Sequence, residues 1–298
     1  MTAFVRKAAE DAVLREDWHE NEDGSRLLLL KYPLLERTGI VEHCFTTRLG
    51  GVSADIFSTM NLSFTRGDEE AAVRENYRRL ARALGAEVGQ FVCSDQTHTV
   101  NVRRVTAADA GKGLTRERDY RDVDGLITDE PGLVLSTFYA DCVPLYLVDP
   151  VHRAIGMSHS GWRGTAARMG AVTLSAMQEA YGTRPEDVVC AVGPSICKDC
   201  YEVSADVADI FAEEFPGHEQ EILAESEKNS VGMAHADKKY QLDLWKANEL
   251  ILTDAVIRPE HMAVTIVCTC CNPELLFSHR ASKGKRGNLA AFIALKEG

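Results

Sequence analysis

Short apolar runs of strand character outnumber amphipathic helical segments in this sequence, and the two kinds do not alternate one for one. The strand-like runs, rich in Val, Ile, Leu and Thr, span residues 27–30, 41–46, 99–105, 133–137, 143–148, 154–158, 188–192 and 263–268. A doubly wound parallel sheet needs a helix after nearly every strand. The pattern therefore favours the α+β class, with a layered core made of a large mixed sheet or sandwich and flanked by helices.

Four segments have the period of an amphipathic helix. The first follows Asp68, a candidate N-cap. Its apolar stripe consists of Val73, Tyr77, Leu80 and Leu84. The other three are predicted over about 165–181, where Gly182 is placed to end the helix, around 207–211, and over about 242–254. The acidic segment 213–239 is predicted to be a surface insertion or a loop plus a helix. We find no internal repeat and no linker, which indicates one domain.

The charge balance limits the partners that this chain can bind. The sequence has 33 basic and 45 acidic residues, a formal net charge of −12. That excess opposes general attraction to nucleic acid or to anionic membrane surfaces. No apolar run approaches the roughly 18 residues of a membrane helix, and the N-terminus lacks the apolar core of a secretion signal. We expect a cytoplasmic protein.

Nine cysteines are many for a chain of this kind, and we expect them to be reduced, most of them as small buried hydrophobes. One C-x-x-C pair and one C-x-C-C run could together supply the four thiolates of a structural zinc site. The two halves lie far apart, however, and C-x-C-C is not the usual second half. The pattern leaves open the roles of Cys197, Cys200, Cys268, Cys270 and Cys271.

Three potential metal ligands lie beside strand-like runs: His98, Cys142 and His159. Two imidazoles and one thiolate, with a fourth position left open, suit a catalytic zinc ion. Their spacing matches no short zinc signature, and each residue also has an ordinary structural interpretation. The residues alone therefore do not select this trio from nine cysteines and nine histidines.

Arg48 lies beside Gly50 and Gly51 in a turn that follows a strand-like run. Exposed backbone N–H groups and a guanidinium could hold an anion such as phosphate there. A plain turn with a solvated arginine is the alternative. Neither a P-loop motif nor a dinucleotide-binding glycine motif occurs in the sequence.

Eight ordered segments together resemble one known family, the laccase-domain or YfiH-like family. They are HCFTTRLGGVS (43–53), NLSF (61–64), QTHTV (96–100), DVDGLITDEPGLVLSTFYADCVPLYLVDP (122–150), IGMSHSGWRGTAA (155–167), AVGPSICKDCYEV (191–203), LDLWKAN (242–248) and CTCCNPELLFSHR (268–280). The resemblance implies a single α+β domain with a layered sheet core. Its catalytic domain would span 41–298, with 1–40 as an N-terminal segment of the same domain.

The resemblance also implies an activity. Family members are described as zinc-dependent purine nucleoside phosphorylases that cleave adenosine, inosine, guanosine and methylthioadenosine with phosphate, giving the base and ribose 1-phosphate. They have adenosine deaminase activity as a side reaction. The family's zinc ligands correspond to His98, Cys142 and His159, its T-T-R arginine to Arg48 and its N-L-S asparagine to Asn61.

These positions suggest roles in phosphorolysis. Arg48 is the first candidate for binding phosphate, and Arg163, in the G-W-R-G turn, is the second. Zinc would act as a Lewis acid or polarise water, which would also serve deamination at C6 of adenine. Asp141 could orient a ligand or move a proton, although it could equally cap a turn.

Three other interpretations stay open at this point. Cys142 and His159 could be the nucleophile and base of a metal-free hydrolase. The same ligand trio suits copper, as in a laccase-like polyphenol oxidase, but the sequence contains no H-x-H pair, whereas multicopper oxidases use several. The protein could also bind metal or nucleoside without catalysis. The oligomeric state is not readable from the sequence.

Overall fold

The computed structural model describes residues 4–7, 13–230 and 232–297. Its strands are β1 Arg15–Glu20, β2 Arg26–Lys31, β3 Val41–Thr46, β4 Phe91–Cys93, β5 Val102–Arg104, β6 Gly125–Thr128, β7 Val134–Tyr139, β8 Val143–Asp149, β9 Ala154–Ser160, β10 Val189–Val192, β11 Glu202–Ser204, β12 Leu223–Glu225, β13 Lys239–Leu242, β14 Met262–Val264 and β15 Leu289–Leu295. Its helices are α1 Pro33–Glu36, α2 Glu70–Leu84, α3 Trp162–Ala166, α4 Met169–Tyr181, α5 Ala205–Glu214, α6 Glu219–Ile222, α7 Leu244–Asp254 and α8 His279–Ser282.

Two six-stranded mixed sheets form the core. The first has the order β1-β2-β3-β15-β7-β4 and the second β14-β10-β8-β9-β6-β5. Most pairs are antiparallel, as in β8 and β9, where Val143 pairs with Ser160 and Asp149 with Ala154. The pairs β4–β7, β5–β6 and β10–β14 are parallel. The α+β class and the layered mixed-sheet core are therefore confirmed.

The alternation of side chains along each strand builds three apolar layers. In β2, Leu28 and Leu30 point between the two sheets, whereas Leu27 and Leu29 point to the outer face of the first sheet. In β8, Tyr146 points between the sheets and Leu145 points outward. Both faces of the central strands are buried, which explains why the sequence shows continuous apolar runs instead of alternation.

Helices cover the two outer faces. The stripe of α2 that includes Val73, Tyr77 and Leu80 packs on the first sheet. Helices α4, α5 and α7 pack on the second sheet. The protein is thus layered helix, sheet, sheet, helix, with β1 and β2 of the 1–40 segment in the first sheet. Residues 1–3 and 8–12 of that segment lie outside the described residues.

Some element boundaries differ from the predictions. The strand predicted over 99–105 is limited to β5, because the backbone N–H of Thr99 bonds to a carboxylate of Asp124 instead of joining the ladder. The helix predicted over 165–181 is divided, because Arg168 adopts a left-handed conformation (φ 58°) between α3 and α4. Gly182 ends α4 as predicted.

The N-cap prediction for α2 is wrong. The N-cap position is Glu69, which makes no side-chain cap bond. The Asp68 carboxylate instead accepts hydrogen bonds from Ser53 Oγ (2.6 Å) and Asn61 Nδ2 (2.9 Å). The other carboxylate oxygen accepts from the backbone N–H of Glu69 (2.9 Å), so both oxygens of Asp68 already have partners outside the first turn of α2.

The acidic segment 213–239 contains the end of α5, helix α6 and strand β12. With β11 and β13, β12 forms a small third sheet of order β11-β13-β12. Val231 lies outside the described residues. Throughout the described ranges, every helix is too short or too polar to cross a membrane.

Candidate active site

The three candidate ligands lie where the chain passes between the two core sheets. His98 is in the connection from β4 to β5, and Cys142 is in the connection from β7 to β8. Both connections leave the first sheet and enter the second. His159 is near the end of β9 in the second sheet. Adjacent ends of the two sheets thus bring together residues that are distant in sequence.

The ligand atoms of His98, Cys142 and His159 all lie within 4.8 Å of one another. The two imidazole rings meet edge to face, with 4.9 Å between their centroids. His159 is buried, Cys142 is half-buried and His98 is exposed, so the trio opens toward solvent on one side. The structure therefore assembles the trio that the sequence could only suggest.

Asp124 organises two of the three ligands. Its Oδ1 accepts a hydrogen bond from His159 Nδ1 (2.8 Å) and from the backbone N–H of His98 (3.1 Å). Its Oδ2 accepts from the backbone N–H groups of Thr97 (3.1 Å) and Thr99 (2.8 Å). His98 itself has a left-handed backbone (φ 67°), and the hydrogen bonds from the backbone N–H groups of residues 97–99 to the Asp124 carboxylate stabilise this conformation.

The protonation states follow from burial and from these contacts. Burial opposes ionisation of Cys142, but the adjacent His159 and hydrogen bonds from both histidines outweigh it and lower the pKa of the thiol to about 6. Burial also disfavours charged His159, yet Cys142 and Asp124 raise the pKa of its imidazole to about 9. Burial raises the pKa of Asp124, while the bond from His159 and the backbone bonds lower it to about 2.

The trio fits a single metal ion. Because Nδ1 of His159 is engaged by Asp124, its Nε2 is the nitrogen left for a ligand bond, the usual arrangement of a metal-bound histidine. A Cβ built on Gly161 would lie 3.0 Å from Cys142 Sγ and 3.1 Å from His98 Cδ2. A larger residue at this position would therefore push the two ligands by a few tenths of an ångström. Soft thiolate plus imidazole is a donor set for a transition metal.

A cavity of about 360 Å³ opens beside the trio and includes all three ligands in its lining. The aromatic side chains that line it are Phe64, Tyr77, Phe138 and Tyr139. Phe64 stacks on Tyr77 at 5.8 Å with nearly parallel rings. A cavity of this size, with aromatic walls and a few polar groups, is typical of a small-molecule site.

Three arginines line the same cavity: Arg66, Arg118 and Arg286. Arg118 is paired with Asp95 (2.6 Å). Arg286 is buried, and its Nε has no hydrogen-bond partner among the described residues. Burial and the nearby Arg66 lower the pKa of Arg286 to about 10. Asp141 and Cys142 act in the opposite direction on the pKa of Arg286, but within the described residues neither Arg66 nor Arg286 forms an ion pair with a carboxylate.

The sequence candidates for phosphate, Arg48 and Arg163, are not part of this cavity lining. Arg48 donates from Nε to Ser58 O (2.9 Å) and from a terminal nitrogen to Pro273 O (2.6 Å), and it stacks over Phe277. Arg163 is exposed, with its guanidinium 4.3 Å over the ring of Trp162. The structure does not bring either arginine to the metal trio.

Asn61 and Asp141 lie next to the site, and each forms hydrogen bonds with segments that border the cavity. Asn61 is fully buried, and its Oδ1 accepts from the backbone of Asn288, which lines the cavity. Asp141 has a left-handed backbone (φ 90°), and its carboxylate accepts from Thr269 Oγ1 (2.7 Å) and the Arg280 backbone N–H (2.7 Å). Its carboxylate is thus committed to fixing the turn that carries Cys142.

Sequence reasoning missed Asp124, Arg66 and Arg286. Asp124 did carry a signal, because it is an acidic residue directly before a buried strand in the D-V-D-G segment. The two arginines carried none, since each lies among polar residues of a loop and reaches the cavity only through the folding of distant segments. Burial of a guanidinium is visible only in three dimensions.

Comparisons with known proteins agree with this arrangement. The family model described as "Multi-copper polyphenol oxidoreductase laccase" matches residues 42–296. A Bacillus subtilis protein named "Purine nucleoside phosphorylase YlmD" is 36% identical over 257 residues, which cover 85% of this chain and 88% of that protein. A Deinococcus radiodurans "Purine nucleoside phosphorylase" is 37% identical over 264 residues, covering 88% and 93% of the two chains.

A solved structure shows the same fold. The crystal structure of YlmD from Geobacillus stearothermophilus superposes with a TM-score of 0.81 at 33% sequence identity. The match covers 95% of this chain and 100% of that one. The similarity therefore extends over both sheets and the flanking helices.

Proposed function

This chain belongs to the multi-copper polyphenol oxidoreductase laccase family, in which it has relatives named purine nucleoside phosphorylase, and from this we propose that it is a zinc-dependent purine nucleoside phosphorylase. Its substrates would be adenosine, inosine, guanosine and methylthioadenosine, each with inorganic phosphate. The cytoplasm, where both substrates occur, is the expected location.

The observation that carries the proposal is a pair of arginines, Arg66 and Arg286, that line the cavity of the metal trio and form no ion pair among the described residues. Phosphate is an anion with several acceptor oxygens, and a guanidinium can bind two of them at once. Arg286 is buried with an unpartnered Nε, and Arg66 is its cationic neighbour. An anion between them would satisfy both the charge and the free donor.

In phosphorolysis a phosphate oxygen forms a bond to C1′ of the sugar while the bond from C1′ to N9 of the purine breaks. The electron pair of that bond stays on the purine, which takes up a proton. We assign Arg286 and Arg66 to hold phosphate, and Phe64 and Phe138 to contact the apolar faces of the nucleoside.

His98, Cys142 and His159 are the proposed zinc ligands. Zinc bound there would supply Lewis-acid polarisation of a substrate oxygen or of water. Asp124 acts as a positioning residue, because it fixes the tautomer of His159 and the turn of His98. Asp141 has the same kind of role for the turn of Cys142.

The direct test uses the purified protein with its zinc quantified. Inosine is supplied with and without phosphate, and hypoxanthine release is followed. We expect release that depends on phosphate, stops when zinc is removed and returns when zinc is restored. Absence of release from both inosine and adenosine at full zinc occupancy would overturn the proposal.

Variants of two arginines separate the phosphate assignments. Arg286→Gln is expected to raise the KM for phosphate at least tenfold while the KM for inosine changes little. Arg163→Gln, which alters an exposed arginine away from the cavity, is expected to leave both unchanged. The reverse pattern would assign phosphate to Arg163, the second candidate from the sequence.

Deamination of adenosine is expected as a second reaction at the same zinc. It requires water in place of phosphate, so inosine should form from adenosine in phosphate-free buffer. His159→Ala should abolish both reactions together, because both need the ligand trio. Loss of only one of the two activities would show that they use different groups.

Two observations favour alternative functions, and each has its own test. The family description names a copper oxidase, so the copper-loaded protein is assayed for oxygen uptake with a phenol. The lowered pKa of Cys142 beside His159 would also suit a cysteine nucleophile. Activity that resists chelators and is lost on alkylation of Cys142 would support that hydrolase instead.

A further inference from the structure

A second group of potential metal ligands lies outside the cavity. It consists of Cys197, Cys200, Cys268 and Cys271, whose four sulfur atoms all lie within 4.8 Å of one another. All four are free thiols. Cys197 and Cys268 are buried, while Cys200 and Cys271 are half-buried. We call this group the thiol cluster.

We propose that the thiol cluster binds one zinc ion as a structural site, distinct from the metal trio of the cavity. A zinc–sulfur bond of about 2.3 Å in tetrahedral geometry separates the sulfurs by about 3.8 Å. Cys200 Sγ and Cys271 Sγ are 3.5 Å apart, close to that value. Four thiolates with no open position are the ligand set of a structural zinc, not of a catalytic one.

The fold explains why the pattern alone could not establish this site. Cys197 and Cys200 flank one short turn, whereas Cys268 and Cys271 follow β14 after the chain has left the second sheet. A parallel bridge between Ser195 and Cys268 aligns the two segments, and Thr269 N–H donates to Ser195 O (3.1 Å). The two halves, 71 residues apart for Cys200 and Cys271, therefore meet only through tertiary structure.

The surroundings of the cluster suit a negatively charged metal centre. Four thiolates around a divalent zinc carry a net charge of −2, which donors and cations must balance. The backbone N–H of Cys197 points at Cys268 Sγ (3.2 Å). Lys7, bonded to Asp199 (3.0 Å), places its positive charge near Cys197 and Cys271.

The N-terminal residues that bring Lys7 to the cluster are themselves held in place. The backbone of Val5 forms two hydrogen bonds with the Asn272 amide side chain (2.7 and 3.0 Å), and Lys7 N–H donates to Ile266 O (2.8 Å). Both partners are close in sequence to the second pair of cysteines. The cation is thus positioned by the same segment that carries the thiols.

The cluster is connected to the active-site turn by two short links. Thr269, between two of the cysteines, donates to the Asp141 carboxylate (2.7 Å), and the Ile196 N–H donates to the Asp141 carbonyl (3.0 Å). Asp141 directly precedes Cys142. An ion in the cluster would therefore fix the turn that presents a ligand of the cavity site.

The test counts metal in the full chain, purified under reducing conditions from cells supplied with zinc. We expect two zinc ions per chain in the wild type and one in the His98→Ala/Cys142→Ala double variant. Cobalt added to the zinc-free double variant should give the intense visible absorption of a tetrathiolate centre. Because this variant lacks the cavity site, the result does not depend on the proposed function.

Adjacent cysteines provide a matched pair. Cys271→Ser should bind one zinc ion fewer than the wild type, with a fall in Tm on the order of 10 °C. Cys270→Ser, which removes the neighbouring thiol outside the cluster, should keep both zinc ions and the Tm. If Cys271→Ser does not fold, the cobalt spectrum of the double variant decides.

Three results would overturn the proposal. One is a double variant that binds neither zinc nor cobalt. The second is a disulfide between Cys200 and Cys271, found by mass spectrometry in protein kept under reducing conditions. The third is iron in place of zinc, revealed by colour in the purified wild type, since tetrahedral thiolate sites also hold iron.

Discussion

At the residue scale, Asp124 joins the first and third ligands of the metal trio through one carboxylate. Its bonds to His159 Nδ1 and to the backbone of His98 set the orientation of both. Replacing a partner of this kind typically lowers metal affinity by about 10- to 100-fold. Asp124 would thus support metal binding without being one of the proposed ligands.

We predict that Asp124→Asn lowers the zinc affinity of the cavity site by about 10- to 100-fold, because the amide no longer accepts bonds from both partners. Competition with a chelator of known affinity measures this. Asp149→Asn is the matched control, since Asp149 is another buried carboxylate bonded to a histidine Nδ1 (2.8 Å, His152). Equal loss of affinity in the two variants would contradict the role of Asp124.

His43 is a second residue with a measurable consequence. It is buried among the rings of Tyr32 and Tyr146, its Nε2 accepts from the Tyr32 backbone N–H (2.8 Å), and its Nδ1 has no partner among the described residues. Burial lowers the pKa of its imidazole to about 3, with Glu36 opposing the shift and Lys31 adding to it.

This shift fixes the sign of a pH dependence. The unfolded chain takes up a proton on His43 below about pH 6.5, and the folded chain does so only near pH 3, so the free energy of unfolding falls as the pH drops through that range. Between pH 7.5 and pH 5 the loss is about 2 kcal/mol. Denaturant titrations at several pH values measure this, and the free energy of unfolding should fall by about 2 kcal/mol more in the wild type than in His43→Gln over that range. An identical pH dependence in the two proteins would show that folding leaves the pKa of His43 unchanged.

At the element scale, the sequence predicted the existence of elements better than their ends. The amphipathic stripe of α2 and the apolar runs of β3 and β8 were enough to predict these three elements, because each element forms by burying a whole apolar face. Two predictions were wrong, that of a continuous helix through Arg168 and that of an N-cap at Asp68. The left-handed backbone of Arg168 has no signal in the helical pattern, and the partners of the Asp68 carboxylate, Ser53 and Asn61, lie 15 and 7 residues away in the sequence.

The start of α7 gives a test at this scale. Asp243 is its N-cap, and the carboxylate accepts from the Lys246 backbone N–H (3.0 Å). Asp243→Ala is expected to lower the free energy of unfolding by about 1 kcal/mol, and Asp243→Ser to restore most of it. Denaturant unfolding measures both. Alanine and serine variants that are both as stable as the wild type would mean that the cap contributes nothing.

At the scale of the whole molecule, the layered core and the metal trio could be predicted for different reasons. The number and apolar character of the strands indicated the layers. The trio followed from the family resemblance, because residues 98, 142 and 159 show no recognisable spacing. Arg286 could follow from neither, since its environment exists only when the C-terminal loop lies beside the metal trio.

The position of the trio between two sheets also has a kinetic meaning. Its ligands cannot meet until both sheets have formed and docked, so an ion there contributes to the native state and little to the folding transition state. In Cys271→Ser, which is expected to keep only the cavity site, saturating zinc should slow unfolding and leave the refolding rate unchanged, as measured by stopped-flow fluorescence. Faster refolding with zinc would place ligand assembly early. On the expected outcome, the ion sets how long a folded molecule survives in the cell, and the chain reaches its fold without it.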